Sequence, residues 1–260
     1  MHAGMIDMES NTTLVQNFPA HEAIPDGEGP FPAVVVFHDR FGLSVHVRGV
    51  ANRLAQLGFY ALVPNFYALP SSFASVAPDF MRTLTTGSYD YADVAAADER
   101  ENTLTDERAE VVFRQSFTYL ATRSRVRAGG LGVLGFSMGG RLAFLAACDE
   151  PGQVRACVCF YPTGLGRVTS MPPGQADPLE RAGSLRAPLR LFYGRLDETI
   201  RPEERERVQS TLSGLSKDFR INAFPEAGHD FFCSERDTFR IDAAKIAWDE
   251  TVAFFGSLLV

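Results

Sequence analysis

A chain of 260 residues that is 45% hydrophobic, 11% aromatic and 22% charged has the balance of a folded globular protein, which excludes a disordered tail, a linker or a collagen-like fibre. Its 25 Lys and Arg against 32 Asp and Glu give a formal net charge of −7, and the positive residues are scattered rather than gathered into a stripe, so nucleic acid is excluded as an expected partner. No segment approaches the roughly 20 apolar residues of a bilayer-spanning helix, and no membrane partner is expected.

Leu14 to Phe18 reads as a candidate edge strand. The continuous run Ala33 to Phe37 (AVVVF) has the β-branched character of a strand buried on both faces of a parallel sheet. The loop Asp39-Arg40-Phe41-Gly42-Leu43 follows. Val47, Val50, Leu54 and Leu57 then repeat at helical spacing up to a capping Gly58, and Phe59 to Val63 is a second strand stopped by Pro64. Strand, helix and strand within about 30 residues make a βαβ unit.

From Asn65 to Asp106 the periodicity gives way to aromatic, small and acidic residues, including Phe66, Tyr67, Phe73, Phe80, Tyr89 and Tyr91. A connection this long is more often functional than a simple link, so it reads either as a pocket lining or lid, or as a cover for the sheet edge. Regular alternation resumes with a helix over Glu107 to Thr122 and a strand over Leu131 to Leu134. A helix over Arg141 to Cys148 and strands over Ala156 to Tyr161 and Leu189 to Tyr193 follow. The chain ends with a helix over Glu203 to Leu215, a strand over Arg220 to Phe224 and a helix over Ala243 to Leu259. This pattern predicts one α/β domain over residues 1–260, a doubly wound, mostly parallel sheet with helices on both faces, carrying an aromatic-rich insert at about 65–106.

Gly135-Phe136-Ser137-Met138-Gly139-Gly140 lies between a predicted strand and a predicted helix, the setting of a G-x-S-x-G nucleophile elbow. Flanking glycines let a serine stand on a sharp, strained turn, and the following helix N-terminus aims backbone N–H groups at a developing oxyanion. Taken by itself the pentapeptide is also compatible with a glycine-rich turn whose serine merely caps the helix. Partners decide between the two, because a serine hydroxyl needs a base and the base needs an acid to hold its tautomer. Asp197, in Tyr193-Gly194-Arg195-Leu196-Asp197, and His229, in Gly228-His229-Asp230-Phe231, each follow a predicted strand. Both fall at the carboxyl edge of the sheet where ligands gather in open α/β folds. The chain order Ser, Asp, His is that of the α/β-hydrolases.

With these residues in place the sequence resembles the dienelactone hydrolase family of α/β-hydrolases from about Pro32 to Leu258. The likeness rests on His38-Asp39-Arg40-Phe41-Gly42-Leu43, Gly58-Phe59-Tyr60-Ala61-Leu62-Val63-Pro64, the elbow, the Asp197 and His229 segments, and the closing helix from Ala247-Trp248 to Phe254-Phe255. The resemblance implies hydrolysis of small-molecule esters or lactones without metal or cofactor. It implies Ser137 as nucleophile, Asp197 as acid, His229 as base, and the N–H groups of Met138 and Arg40 as oxyanion donors. The family's archetype has cysteine at Ser137 and glutamate at Asp39. It also has a carboxylate-binding arginine at Cys233, so dienelactone itself is not the expected substrate. Asp39, Phe41, Arg82 and Phe231 are the candidate substrate-binding residues, with Arg236 near Cys233 but out of register.

Other features read blandly. Cys148, Cys157, Cys159 and Cys233 lack zinc-site spacing and are too few for a disulfide scaffold, so reduced, mostly buried thiols are expected. His38 reads as a hydrogen-bonded loop residue. Asp98-Glu99-Arg100-Glu101 and Glu203-Glu204-Arg205-Glu206 read as solvated helix faces with local ion pairs. Asp7 and Glu9 stand where a secretory signal needs positive charge, which makes a cytoplasmic protein the expectation; a monomer or homodimer is expected. The function expected is serine hydrolysis through an acyl-enzyme. The competing readings are acyl transfer or peptide cleavage by the same triad, and a non-catalytic protein of this fold that binds a small ligand or partner.

Overall fold

In a computed structural model of the protein, which describes residues 11–15, 18–67 and 91–260, the run Ala33–Phe37 forms strand β3 with every residue buried. Consecutive β-branched side chains suit a strand covered on both faces, where inside and outside need not alternate. β1 (Asn11–Val15) and β2 (Phe18–Ala23) precede it; β4 (Tyr60–Pro64), β5 (Leu131–Phe136), β6 (Val154–Phe160), β7 (Leu189–Gly194) and β8 (Phe219–Phe224) follow. The strands form one sheet in the order β1-β2-β4-β3-β5-β6-β7-β8. β3 to β8 are parallel, and β2 joins β1 and β4 antiparallel. The architecture is the doubly wound, mostly parallel sheet that the alternation predicts.

Helix α1 (Val45–Gln56) links β3 to β4; α2 (Val94–Thr103) and α3 (Asp106–Ala121) precede β5. α4 (Met138–Asp149) links β5 to β6, α5 (Pro202–Gly214) links β7 to β8, and α6 (Ile241–Leu259) ends the chain. Parallel crossovers are right-handed. Those leaving β3 and β5 travel in opposite directions across the sheet, so α1 and α4 fall on opposite faces. The carboxyl ends of β3 and β5, where the order reverses, form the crevice in which this kind of sheet binds ligands.

The core beneath that edge is aromatic. Phe136, Phe160 and Phe192 sit in register on β5, β6 and β7, with successive ring centroids 4.9 Å apart. Phe232 caps the row 4.7 Å from Phe160. Fully burying a ring of this size stabilises the fold by roughly 2–3 kcal/mol, so the floor of the crevice contributes strongly to the core.

Three expectations are corrected. The N-terminus forms a two-stranded hairpin edge rather than one strand over Leu14 to Phe18. β2 escapes pattern reading because it buries His21 and Glu22, with Glu22 accepting hydrogen bonds from the Tyr60 and Tyr119 hydroxyls. Pro64 is the last paired residue of β4, opposite Ala20, and not a stop before it. Part of the insert is helical: α2 buries only Ala97, so it has no apolar stripe to reveal it. Phe73, Phe80, Arg82 and Tyr89 lie outside the described residues.

Candidate active site

β5 ends at Phe136 and α4 begins at Met138, leaving Ser137 as the hinge between them at φ 53°, ψ −119°. No side-chain cap hydrogen bond forms, which overturns the helix-capping reading of this serine. Two glycines make the turn sterically possible. A β-carbon on Gly135 would lie 2.0 Å from the Gly139 carbonyl oxygen, and one on Gly139 would lie 2.3 Å from the carbonyl oxygens of both Phe37 and His38. The start of α4 is thus pressed against its own strand and against the end of β3. The Ser137 N–H donates to the Phe160 carbonyl at 3.0 Å, and the Thr163 N–H donates to the Ser137 carbonyl at 3.2 Å. These bonds hold a backbone conformation that costs of order 1–3 kcal/mol.

Asp197 and His229 come to the same place from the ends of β7 and β8. Ser137 Oγ lies 3.0 Å from His229 Nε2, and His229 Nδ1 lies 2.8 Å from Asp197 Oδ2. Asp197 Oδ1 accepts the N–H groups of Thr199 at 2.8 Å and Ile200 at 3.0 Å, which fixes the carboxylate on a fully buried side chain. Being acceptor-only, that carboxylate places the imidazole proton on Nδ1 and leaves Nε2 to accept from the serine. Burial alone would depress the His229 pKa. The Asp197 hydrogen bond and the charges of Asp230 and Asp197 outweigh it, and the pKa is raised above 6.5 despite Arg40. Thr163 Oγ1 lies 2.9 Å from Ser137 Oγ; with the serine proton directed to His229, the threonine is the donor. Nothing in the local sequence around Thr163 signals this contact.

The loop after β3 is fixed as firmly. His38 is fully buried; its Nδ1–H donates to the Asp39 carbonyl at 2.6 Å and its Nε2 accepts the Phe66 N–H at 2.9 Å. Burial pushes its pKa down to about 4, so it serves as a neutral clamp, matching its reading as a hydrogen-bonded loop residue. Gly42 N–H also donates to the Asp39 carbonyl, and the Tyr67 hydroxyl donates to the Arg40 carbonyl at 3.1 Å. In a trans peptide the N–H points opposite to its carbonyl. The Arg40 N–H is therefore aimed away from His38, and neither it nor the Met138 N–H has a hydrogen-bond acceptor among the described residues.

Asp39 is buried, and its Oδ1 accepts the Phe41 N–H at 2.8 Å. Burial and the nearby Asp230 push its carboxyl up to about 7, against the Phe41 hydrogen bond and the charges of Arg40 and Arg236. Phe41 packs against Tyr91 at 4.8 Å and carries the guanidinium groups of Arg40 and Arg236, each 5.3 Å from its ring centre. Arg236 therefore reaches the site despite its register. Phe231 does not: it is fully buried against Tyr161 and Phe224 in the core, which corrects its reading as a substrate contact. Cys233 is buried, as are the other three cysteines, and all are free thiols. The acidic segment of α2 is corrected too, since Asp98 pairs with the distant Arg40 at 2.6 Å rather than with its own helix. In the second acidic segment Glu204 is buried, not solvated.

Comparison with known proteins identifies the family. The sequence model of the Dienelactone hydrolase family matches residues 18–259. A Methylorubrum extorquens protein provisionally named a carboxymethylenebutenolidase is 30% identical over 237 residues, covering 91% of this chain and 76% of the relative. A Bradyrhizobium protein named as a probable 2-oxo-3-(5-oxofuran-2-ylidene)propanoate lactonase is 29% identical, covering 90% of this chain and 87% of the relative. Among solved structures, a Klebsiella pneumoniae chain provisionally called a dienelactone hydrolase superposes with a TM-score of 0.77 at 26% identity, covering 96% of this chain and 99% of the other. With the fold, the edge of the sheet and the family match in agreement, the chain is an α/β-hydrolase-fold protein that belongs to the dienelactone hydrolase family.

Proposed function

We propose that this hydrolase cleaves small carboxylic esters or lactones through an acyl-enzyme on Ser137. The observation that carries the reading is the unbroken hydrogen-bonded line from Asp197 through His229 to the strained Ser137. As Ser137 Oγ attacks the acyl carbon, its proton passes to His229 Nε2, and Asp197 stabilises the imidazolium. The carbonyl oxygen becomes an oxyanion, for which the N–H groups of Met138 and Arg40, without an acceptor among the described residues, are the donors. Collapse expels the alkoxide, which takes the proton from His229 and leaves as the alcohol; in a lactone it stays tethered to the acyl group. Water then gives a proton to His229 and attacks the ester on Ser137, and the returning proton frees the serine and the acid.

Hydrolysis of p-nitrophenyl esters from acetate to octanoate, alongside dienelactone, by the wild type and by Ser137→Ala tests the proposal. A loss of roughly 10³-fold or more in kcat is expected for the variant on every ester the wild type turns over. Turnover retained by Ser137→Ala overturns the assignment.

A further inference from the structure

Asp230, the residue after His229, adopts a left-handed backbone at φ 58°, a conformation that glycine enters freely and other residues only at a cost. Its carboxylate is aimed into the site. Oδ1 lies 3.7 Å from His229 Nε2, the nitrogen that faces Ser137, and Oδ2 lies 3.5 Å from Arg236 Nε. Arg236 is held in turn over the rings of Phe41 and Tyr91. The other guanidinium on Phe41, that of Arg40, is taken by Asp98. Both cations beside Phe41 are therefore already matched by carboxylates, while Asp39 and Glu101 add acidic groups within electrostatic range of the same cluster. Among the described residues, and besides the triad's own Asp197, the carboxyl groups of Asp230, Asp98, Asp39 and Glu101 surround the reacting atoms together with the guanidinium groups of Arg40 and Arg236, while Arg141 is engaged by Asp106; Asp230 is the carboxyl outside the triad that stands beside the base.

Resting on the serine-hydrolase reading, we propose that Asp230 is the specificity-determining residue of this site. It makes the enzyme select esters carrying a positive charge, such as an ammonium group, over neutral ones and disfavour those carrying a free carboxylate. A charged substituent a few bonds from the acyl carbon must pass within several ångströms of Asp230. In a partly buried site one unit charge at that range acts in opposite directions on the two signs and changes the ratio of their rate constants roughly tenfold or more. The left-handed turn adds a second consequence: Asp230→Gly removes the charge and the backbone strain together, so this variant keeps the fold while losing the selection.

The test uses p-nitrophenyl esters of butyrate, of 4-trimethylammoniobutyrate and the monoester of succinate, hydrolysed at low ionic strength by the wild type, Asp230→Gly and Asp230→Asn. In parallel, calorimetry follows binding of the matching uncleaved anilides to Ser137→Ala with and without Asp230→Gly. The cationic ester is expected to exceed the anionic one at least tenfold in kcat/KM, and both Asp230 variants are expected to bring the ratio down about tenfold, with the anilides following the same order. A ratio that the variants leave unchanged, or a wild-type preference for the succinate ester, overturns the proposal. Ester turnover that persists in Ser137→Ala would instead overturn the serine mechanism, and charge discrimination by the anilides that disappears in Asp230→Gly would still support the role of Asp230.

Discussion

Asp197 divides its two oxygens between two tasks: Oδ2 accepts from His229 Nδ1 at 2.8 Å, while Oδ1 is held by the N–H groups of Thr199 and Ile200. Asp197→Asn keeps an oxygen for the two N–H groups and so turns its amide N–H₂ toward His229. The imidazole must then accept at Nδ1 and carry its proton on Nε2, where it cannot take one from Ser137. A fall of about 10³ to 10⁴ in kcat is expected, with little change in thermal stability. Comparable losses of activity and stability would instead mean that the carboxylate mainly holds the loop.

The acid limb of the kcat/KM profile reports the protonation of His229. Its pKa is lowered by burial and raised more strongly by Asp197 and Asp230, with Arg40 opposing, so activity is expected to fall already above pH 6.5 as the solution is acidified. Asp230→Asn removes one of the raising charges and should move the limb to lower pH. Arg40→Gln removes the opposing charge and should move it up. A limb that neither substitution shifts would show that a group outside this cluster controls it; Asp39, at about 7, feels Asp230 and Arg40 with the same signs as His229 does, so a limb that disappears in Asp39→Asn would assign it to Asp39 instead.

Asp39 carries a stability signature of the opposite sign to an ordinary salt-bridged acid. Its folded pKa, about 7, lies above the usual carboxyl value of 3.8. The folded state therefore binds the extra proton, and the contribution of this group to stability declines as pH rises from about 4 to 7. Asn at this position keeps the oxygen that accepts the Phe41 N–H and cannot ionise. Asp39→Asn is expected to be more stable than the wild type at pH 8, by an amount that shrinks toward pH 5, in urea unfolding at both values. A difference that stays constant across this range would contradict the account.

Arg141 on α4 and Asp106 at the start of α3 form an almost fully buried pair at 2.6 Å, and Asp106 also accepts the Ala176 N–H at 2.8 Å. This pair ties the helix that begins at the elbow to its neighbour. Asp106→Ala leaves a guanidinium buried without its partner and should cost about 3–5 kcal/mol in urea unfolding. Replacing both residues with apolar ones of similar volume, Asp106→Leu with Arg141→Met, should recover most of that loss.

The strands under the site were legible because buried parallel strands are written as short β-branched or apolar runs, as in Ala33 to Phe37. The triad geometry was legible for a related reason: Ser137 and Asp197 follow such runs and His229 follows the half-buried strand β8, so topology delivers them to one edge. Local pattern hid what depends on partners far along the chain. β2 buries His21 and Glu22, which the distant Asn52, Tyr60 and Tyr119 satisfy. α2 lacks an apolar stripe, and its Asp98 finds Arg40 across 58 residues. Thr163, Tyr67 and Arg236 reach the site through the packing of loops that share no motif. Phe231 misled because it lies two residues from His229, past the left-handed turn at Asp230, and its ring is packed in the core.

The central claim is that Ser137 becomes acylated. Acid quenching of the enzyme milliseconds after mixing with excess p-nitrophenyl ester, followed by intact-mass and peptide mass spectrometry, tests it directly. The account requires a mass increase equal to the acyl group, confined to the peptide that contains Ser137 and absent from Ser137→Ala, together with a labelled Ser137 after treatment with a fluorophosphonate. Turnover without any acyl or phosphonyl adduct on Ser137, or an adduct on another residue, would contradict it.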